Sequence, residues 1–178
     1  RIGQAVARRA MGFDMRVLAH DPYAREVIDA DDQAEWADLD ILLDESDFVT
    51  VHTLLTDETR HLISTAEFER MKPTAYILNA ARGPIIDEAA LVVALNEGQI
   101  AGAGLDVYER EPEMVEGLAQ CENAVLLPHL GSASRGTRDK MATVAATNAI
   151  AMLRGERAPN CVSADVYDSS AYAGRSRK

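Results

Sequence analysis

The chain has 178 residues, 47% of them apolar and 26% charged. That suits one folded domain of ordinary size and excludes a disordered chain. With 18 basic against 29 acidic residues, the formal charge of −11 argues against nucleic acid and anionic membrane surfaces as partners.

The first predicted element is a helix over 4–13, with Ala5, Val6, Ala10 and Phe13 near helical spacing and Gly12 near its end. Met15 to Ala19 reads as a strand stopped by Asp21-Pro22. A short helix over 39–45 precedes the β-branched strand 48–53. Ser64-Thr65-Ala66-Glu67 is a capping box opening a helix to Met71. Residues 75–79 form a strand, and Asp87 caps a helix to Asn96 with Gly98 beyond it. Further strands are expected at 99–105 and 124–127, then a long helix from Ser134 to Leu153. A Ser/Ala/Arg-rich tail follows and is expected to fray. The longest unbroken apolar run, 89–95, is too short to cross a membrane. The opening Arg1-Ile2-Gly3-Gln4 lacks the apolar region of a secretory leader. Cys121 and Cys161 have no CxxC or metal spacing, so they read as reduced thiols of a cytoplasmic protein with no metal site.

Strands alternating with helices through short loops predict an α/β fold with a parallel sheet, apolar on both faces and buried between two helix layers. Four clusters carry polar groups to places where chemistry is expected. Arg1-Ile2-Gly3 leads into a helix and would suit the last third of a G-x-G-x-x-G phosphate loop. Asp21, 18 residues after Gly3, reads either as a ribose-binding acid or as a turn-forming Asp-Pro. Arg82 in Asn79-Ala80-Ala81-Arg82-Gly83-Pro84 follows a strand, where a guanidinium grips a carboxylate or makes a surface salt bridge. Finally, Asp106 to Pro112 and Pro128-His129-Leu130-Gly131-Ser132 bring Glu111 and His129 to the same sheet edge. A histidine beside a carboxylate is oriented and held charged, the condition for a general acid.

Together these motifs resemble the NAD-dependent D-isomer-specific 2-hydroxyacid dehydrogenases. Arg1-Ile2-Gly3 is similar to the end of the family's G-x-G-R-I-G, and His20-Asp21-Pro22 to its ribose-binding strand end. Asn79 to Gly83 resembles N-x-[AS]-R-G, and Gly104 to Pro112 resembles G-L-D-V-[FY]-x-x-E-P. Pro128 to Ser132 resembles P-H-[IL]-G-S. The spacings of 29 from Arg82 to Glu111 and 18 from Glu111 to His129 also agree. The resemblance implies a Rossmann-type, doubly wound parallel sheet and NAD as cofactor. It also implies a small 2-oxo or 2-hydroxy acid as substrate and a homodimer. Arg82 would bind the substrate carboxylate, His129 would act as acid or base, and Glu111 would hold His129 protonated. Arg1, Ile2 and Gly3 would meet the pyrophosphate, and Asp21 the adenosine ribose. Asp106 would lie on the nicotinamide side, and Thr53, Leu54, Thr59, Ala80 and Ala81 would line the cofactor, with Arg82 and His129 adjoining it. One departure is His52-Thr53-Leu54-Leu55-Thr56, where the family often has a proline.

The same resemblance predicts an incomplete enzyme. Residues 1–132 would be an NAD-binding domain without its first strand. Residues 133–162 would be a helix and return segment belonging to a substrate domain otherwise absent, and 163–178 a flexible tail. Glyoxylate or hydroxypyruvate reduction is the expected reaction. A D-3-phosphoglycerate dehydrogenase is the alternative within the family, and a non-catalytic NAD-sensing module is the alternative outside it.

Charge is unevenly spread. Between Glu26 and Thr59 stand 12 acidic residues and no Lys or Arg, which reads as a solvated face. Across the chain 15 Arg exceed 3 Lys. Dense carboxylates of this kind suit a high-salt cytoplasm, so the protein is expected to gain stability at molar salt. Unfolding midpoints across a salt series check this, and a flat or falling series rejects it.

Overall fold

The structure, a computed structural model, describes residues 2–29 and 34–169. Its elements follow the polar punctuation of the sequence. Helix α1 (Ile2–Met11) lies two residues earlier than the spacing predicts, and the exposed Phe13 falls in the turn after it. Strand β1 (Leu18–Ala19) is shorter than predicted because its one described partner is equally short. After α2 (Arg25–Asp29), that partner is β2 (Glu35–Trp36), with Leu18 opposite Glu35 and Ala19 opposite Trp36. Both α2 and β2 lie in the acidic stretch, where no apolar period marks them. Helix α3 (Leu39–Glu45) has its predicted bounds, and β3 (Phe48–Val51) stops two residues before Thr53. In α4 (Thr65–Arg70) the expected capping box forms, the Ser64 amide donating to Glu67 Oε2 at 2.9 Å.

Strand β4 (Tyr76–Asn79) leads through a 3-10 turn, Gly83–Ile85, to α5 (Glu88–Asn96). Asp87 caps α5 by accepting from the Ala90 amide at 3.1 Å. Strand β5 (Gly102–Leu105) starts three residues later than predicted, and β6 (Ala124–Leu126) follows.

All described strand pairs are parallel, but they form two sheets: β1–β2, and β3–β4–β5–β6 in that order. The single sheet expected from sequence is thus divided, because no described strand pairs with both β1 and β3. The residues alternate across the larger sheet. Val49, Val51, Ile77, Ala103 and Leu105 are buried on one face with Leu43, Phe68, Leu91 and Leu95 of α3, α4 and α5. The other face carries Phe48, Tyr76, Leu78 and Val125, all at least 40% exposed. Burial on both faces, expected from the apolar strands, is therefore corrected: the helices following β2, β3 and β4 cover one face only.

The chain divides into two compact units, one up to His129 and one from Leu130. The second contains α6 (Arg135–Leu153), whose cap Ser134 accepts from the Thr137 amide at 3.2 Å. It also contains a 3-10 turn at Ala164–Asp168. Here the expectation of a flexible tail from residue 163 is corrected in part. Tyr167 is buried, its hydroxyl accepts from the Ala158 amide at 2.8 Å, and Arg157 lies over its ring and pairs with Asp168 at 3.0 Å. Residues 170–178 lie outside the described residues. Among the described residues no helix is long and apolar enough to cross a membrane. No group of His, Cys, Asp and Glu among them could hold a metal ion.

Two glycines test how tightly the first unit is packed. At Gly83 a Cβ would collide with the backbone of Tyr108 and Glu109, whereas Gly98, at φ +70°, has open space around it. Gly83→Ala is expected to destabilise by about 3 kcal/mol through overpacking. Gly98→Ala should cost about 1 kcal/mol from left-handed strain alone. Denaturant midpoints of the two variants check the order.

Candidate active site

Because β3, β4, β5 and β6 run parallel, the loops that leave them emerge on one edge of the sheet. Ligands of open α/β sheets bind outside that edge. The loop after β3 carries Thr53 and Leu54, and the loop after β4 carries Ala80, Ala81 and Arg82. Asp106 and Glu111 follow β5, and His129 follows β6.

His129 and Glu111, 18 residues apart, meet as a hydrogen-bonded pair, with Nδ1 of the imidazole 2.8 Å from Oε2 of the carboxylate. The second oxygen, Oε1, accepts from the Tyr108 amide at 3.2 Å. The hydrogen bond with His129 is the main cause holding the Glu111 carboxyl below its ordinary value. The small burial cost opposes it, and the Tyr108 amide and the charges of His129 and Arg82 assist. His129 has φ +54°, a backbone conformation that non-glycine residues seldom adopt and that clusters at functional sites. The Tyr108 hydroxyl donates to the Leu127 carbonyl at 2.8 Å, which ties the loop after β5 to the chain two residues before His129.

Arg82 is set by Asn79, which is buried at the end of β4. The Asn79 amide group donates to the Arg82 carbonyl at 2.9 Å, and its oxygen accepts from the Ala81 amide at 3.0 Å. The Asp106 amide donates to the Asn79 carbonyl at 2.9 Å, linking the ends of β4 and β5. Arg82 Nη1 donates to the Ala81 carbonyl at 2.6 Å. Arg82, Glu111 and His129 are thus brought together, Arg82 near enough for its charge to act on Glu111.

The residues expected along a cofactor are placed less uniformly. Ile2 and Gly3 open α1, whose first turn holds no acidic side chain. A Cβ on Gly3 would stand 3.4 Å from His52 just beyond β3, an ordinary contact, so the start of α1 lies beside this edge. Arg1 lies outside the described residues. Asp21 is exposed, and its Oδ1 accepts from the Tyr23 amide at 2.9 Å, so it does form the Asp-Pro turn. Thr59 braces its own loop: its hydroxyl donates to the Leu54 carbonyl at 2.6 Å and accepts from the Thr56 amide at 2.8 Å. These bonds hold a segment that lacks the expected proline. Leu54 is exposed, and Asp106 is buried behind the edge. A helix end free of acidic side chains and a carboxylate open to a ribose fit a dinucleotide.

Residues 1–131 match the D-isomer specific 2-hydroxyacid dehydrogenase, NAD binding domain. The chain belongs to this family. It is 50% identical over 167 residues to a glyoxylate reductase of Korarchaeum cryptofilum, which covers 93% of this chain and 50% of that protein. Among solved structures it is similar to an NADPH-dependent glyoxylate/hydroxypyruvate reductase of Sinorhizobium meliloti, crystallised with NADP and malonate. That likeness has a TM-score of 0.82 at 34% identity and covers 92% of this chain and 50% of the other. A D-lactate dehydrogenase of Lactobacillus jensenii, crystallised with NAD+, gives 0.79 at 34% identity, over 91% and 52% of the two chains. The chain therefore spans about half the length of the curated relatives it matches.

Sequence reasoning missed two supports of this family's site. Asn79 was visible as the first residue of its motif but not as a bracket under Arg82. Tyr108 was visible as the aromatic position of its motif but not as a tie, since its bonds reach Glu111 by its amide and Leu127 by its hydroxyl.

The lowered Glu111 value has a sign that thermal unfolding can read. A carboxylate that titrates lower when folded contributes stability above its ordinary range, near 4.5. That contribution is lost as pH falls through the folded value. Glu111→Gln is expected to be less stable than the parent near neutrality, with the difference closing in acid. Melting curves of both proteins between about pH 3 and 7 check this.

Proposed function

We propose that this chain forms the nucleotide-binding and proton-transferring part of a reductase for small 2-oxo acids, with glyoxylate or hydroxypyruvate as substrate and NAD as cofactor. The observation that carries the reading is the 2.8 Å His129–Glu111 pair on the same sheet edge as Arg82. In the catalytic cycle, Arg82 takes the substrate carboxylate through its planar fork and draws electron density from the adjacent carbonyl. Glu111 accepts from Nδ1 of His129, which leaves the Nε2 proton for the carbonyl oxygen. When bound, the reduced nicotinamide supplies the hydride that reaches the carbonyl carbon. His129 gives up its proton as negative charge builds on that oxygen, and the product is the 2-hydroxy acid, of D configuration where the new carbinol carbon is a stereocentre. In the reverse direction His129 is the base.

Ile2 and Gly3, with Arg1, would face the pyrophosphate. Asp21 would accept from the adenosine ribose hydroxyls and repel a 2′-phosphate, favouring NAD over NADP. Thr53, Leu54, Thr59, Ala80, Ala81 and Asp106 would line the rest of the cofactor. Residues 1–132 would be the NAD-binding domain and 133–162 the segment that joins the substrate domain. The boundary between the two compact units, at His129 and Leu130, supports that division. A homodimer completes the reading, and two free cysteines support a reducing, cytoplasmic setting for it.

The test is an assay of the full-length protein with glyoxylate, hydroxypyruvate and 3-phosphohydroxypyruvate, each with NADH and NADPH. Turnover is expected on one of the first two with NADH, and His129→Gln should cut it by about 10²–10⁴. Preference for the phosphorylated substrate would make the protein a phosphoglycerate dehydrogenase. NADPH preference would remove the role of Asp21, and unchanged turnover in the variant would remove that of His129. Cofactor binding without turnover would leave a sensing module.

A further inference from the structure

Glu111 sits in a turn between residues 109 and 115, beyond the end of β5, and its distance from His129 depends on what holds that turn. Glu88, the first residue of α5, is 3% exposed although it carries a carboxylate. Its Oε1 accepts from the Glu109 amide at 2.6 Å, and the backbone of Val115 lies near enough to favour its charge. One buried group therefore holds the first stem of the turn. The contact is reciprocal: Glu109 Oε1 accepts from the Glu88 amide at 3.0 Å. Glu109 Oε2 lies 3.2 Å from His61 Nε2, and His61 Nδ1 stands 3.9 Å from Asp87. The His61 amide donates to the Pro84 carbonyl at 2.8 Å, which returns the chain of contacts to the loop of Arg82. Within the turn, the Glu113 amide donates to the Arg110 carbonyl at 2.9 Å.

A carboxylate buried this far is costly unless its oxygens are occupied. Burial is the main force raising the Glu88 value, and the charge of Glu109 adds to it. The Glu109 and Val115 amides and the charge of Arg110 act the other way. A group under that tension is suited to holding backbone amides rather than to solvating the surface.

We infer that Glu88 is a positioning residue, whose buried carboxylate ties the Glu109 stem of the 109–115 turn to α5 and so sets where Glu111 meets His129. The inference rests on the acid–base role proposed for that pair, but its test needs no turnover. In full-length protein labelled with ¹³C at glutamate carboxyls, the Glu111 titration is followed by NMR in the parent, in Glu88→Gln and in Asp87→Ala. Gln offers only one acceptor oxygen and can turn an amide donor against the Glu109 N–H, so Glu111 should shift upward toward its ordinary value. Asp87→Ala removes the cap of α5 and should lower the melting temperature without moving Glu111. A folded Glu88→Gln with an unmoved Glu111 overturns the proposal. Amide exchange in the parent decides independently of any variant. The Glu109 amide should exchange about tenfold or more slowly than an open loop, and an open-loop rate there would also overturn it.

Discussion

The candidate site depends on one close approach, that of the backbone at Tyr108 and Glu109 to Gly83. Arg82 and Glu111 leave different strands, β4 and β5. Parallel pairing alone brings their loops side by side at about the spacing of neighbouring strands. Only the absence of a side chain at residue 83 lets the second loop settle onto the first. Once it does, Glu109 reaches the start of α5, the Tyr108 amide reaches Glu111, and the Tyr108 hydroxyl reaches Leu127 near His129. The three groups assigned to carboxylate binding and proton transfer then share one place, though none is near another in sequence.

Electrostatics raises a difficulty that this geometry answers. A chain of charge −11 repels an anionic 2-oxo acid at long range, and screening over about 8–10 Å leaves only near charges decisive. The acidic stretch is partly neutralised from outside, where Arg16 bridges Glu35 at 2.8 Å and Glu45 at 2.7 Å. In the proposed reaction a bare Glu111 at the sheet edge would repel the substrate. Its hydrogen bond with His129 occupies that carboxylate, and the Arg82 guanidinium supplies the attraction.

How much of this was legible in the sequence follows from the range of the interactions. Helices α3, α4 and α5 were readable to within a residue because caps and apolar spacing are local: Ser64 with Glu67, Asp87 with Ala90. The order Arg82, Glu111, His129 was readable as motifs. Strand β2 and helix α2 were not, since a two-residue ladder amid carboxylates leaves no period. The division of the sheet was also hidden, because strand-like composition says nothing of which strands pair. The contacts of Glu88 with Glu109 were out of reach for a third reason. A Glu at the first position of a helix already has a local explanation in the helix dipole. Its burial, which points beyond that explanation, is a tertiary fact.

The core and the site are held by different forces. Phe68, Ile77, Leu91 and their neighbours bury one face of the sheet and set the stability of the first unit. The edge loops anchor in that core through Ile63, Ile85, Ile86 and Val107, but their polar groups are set by hydrogen bonds: Asn79 under Arg82, Thr59 within its loop, Glu88 at the turn of Glu111. Hydrophobic burial is non-directional, whereas a hydrogen bond to a backbone amide loses strength steeply with angle and distance. The division therefore has a mechanical consequence. Trimming the core lowers stability while leaving the directional ties of the edge intact. Removing one polar tie costs less stability and moves a reacting group, and at a site where an ångström of displacement counts, the second change matters more.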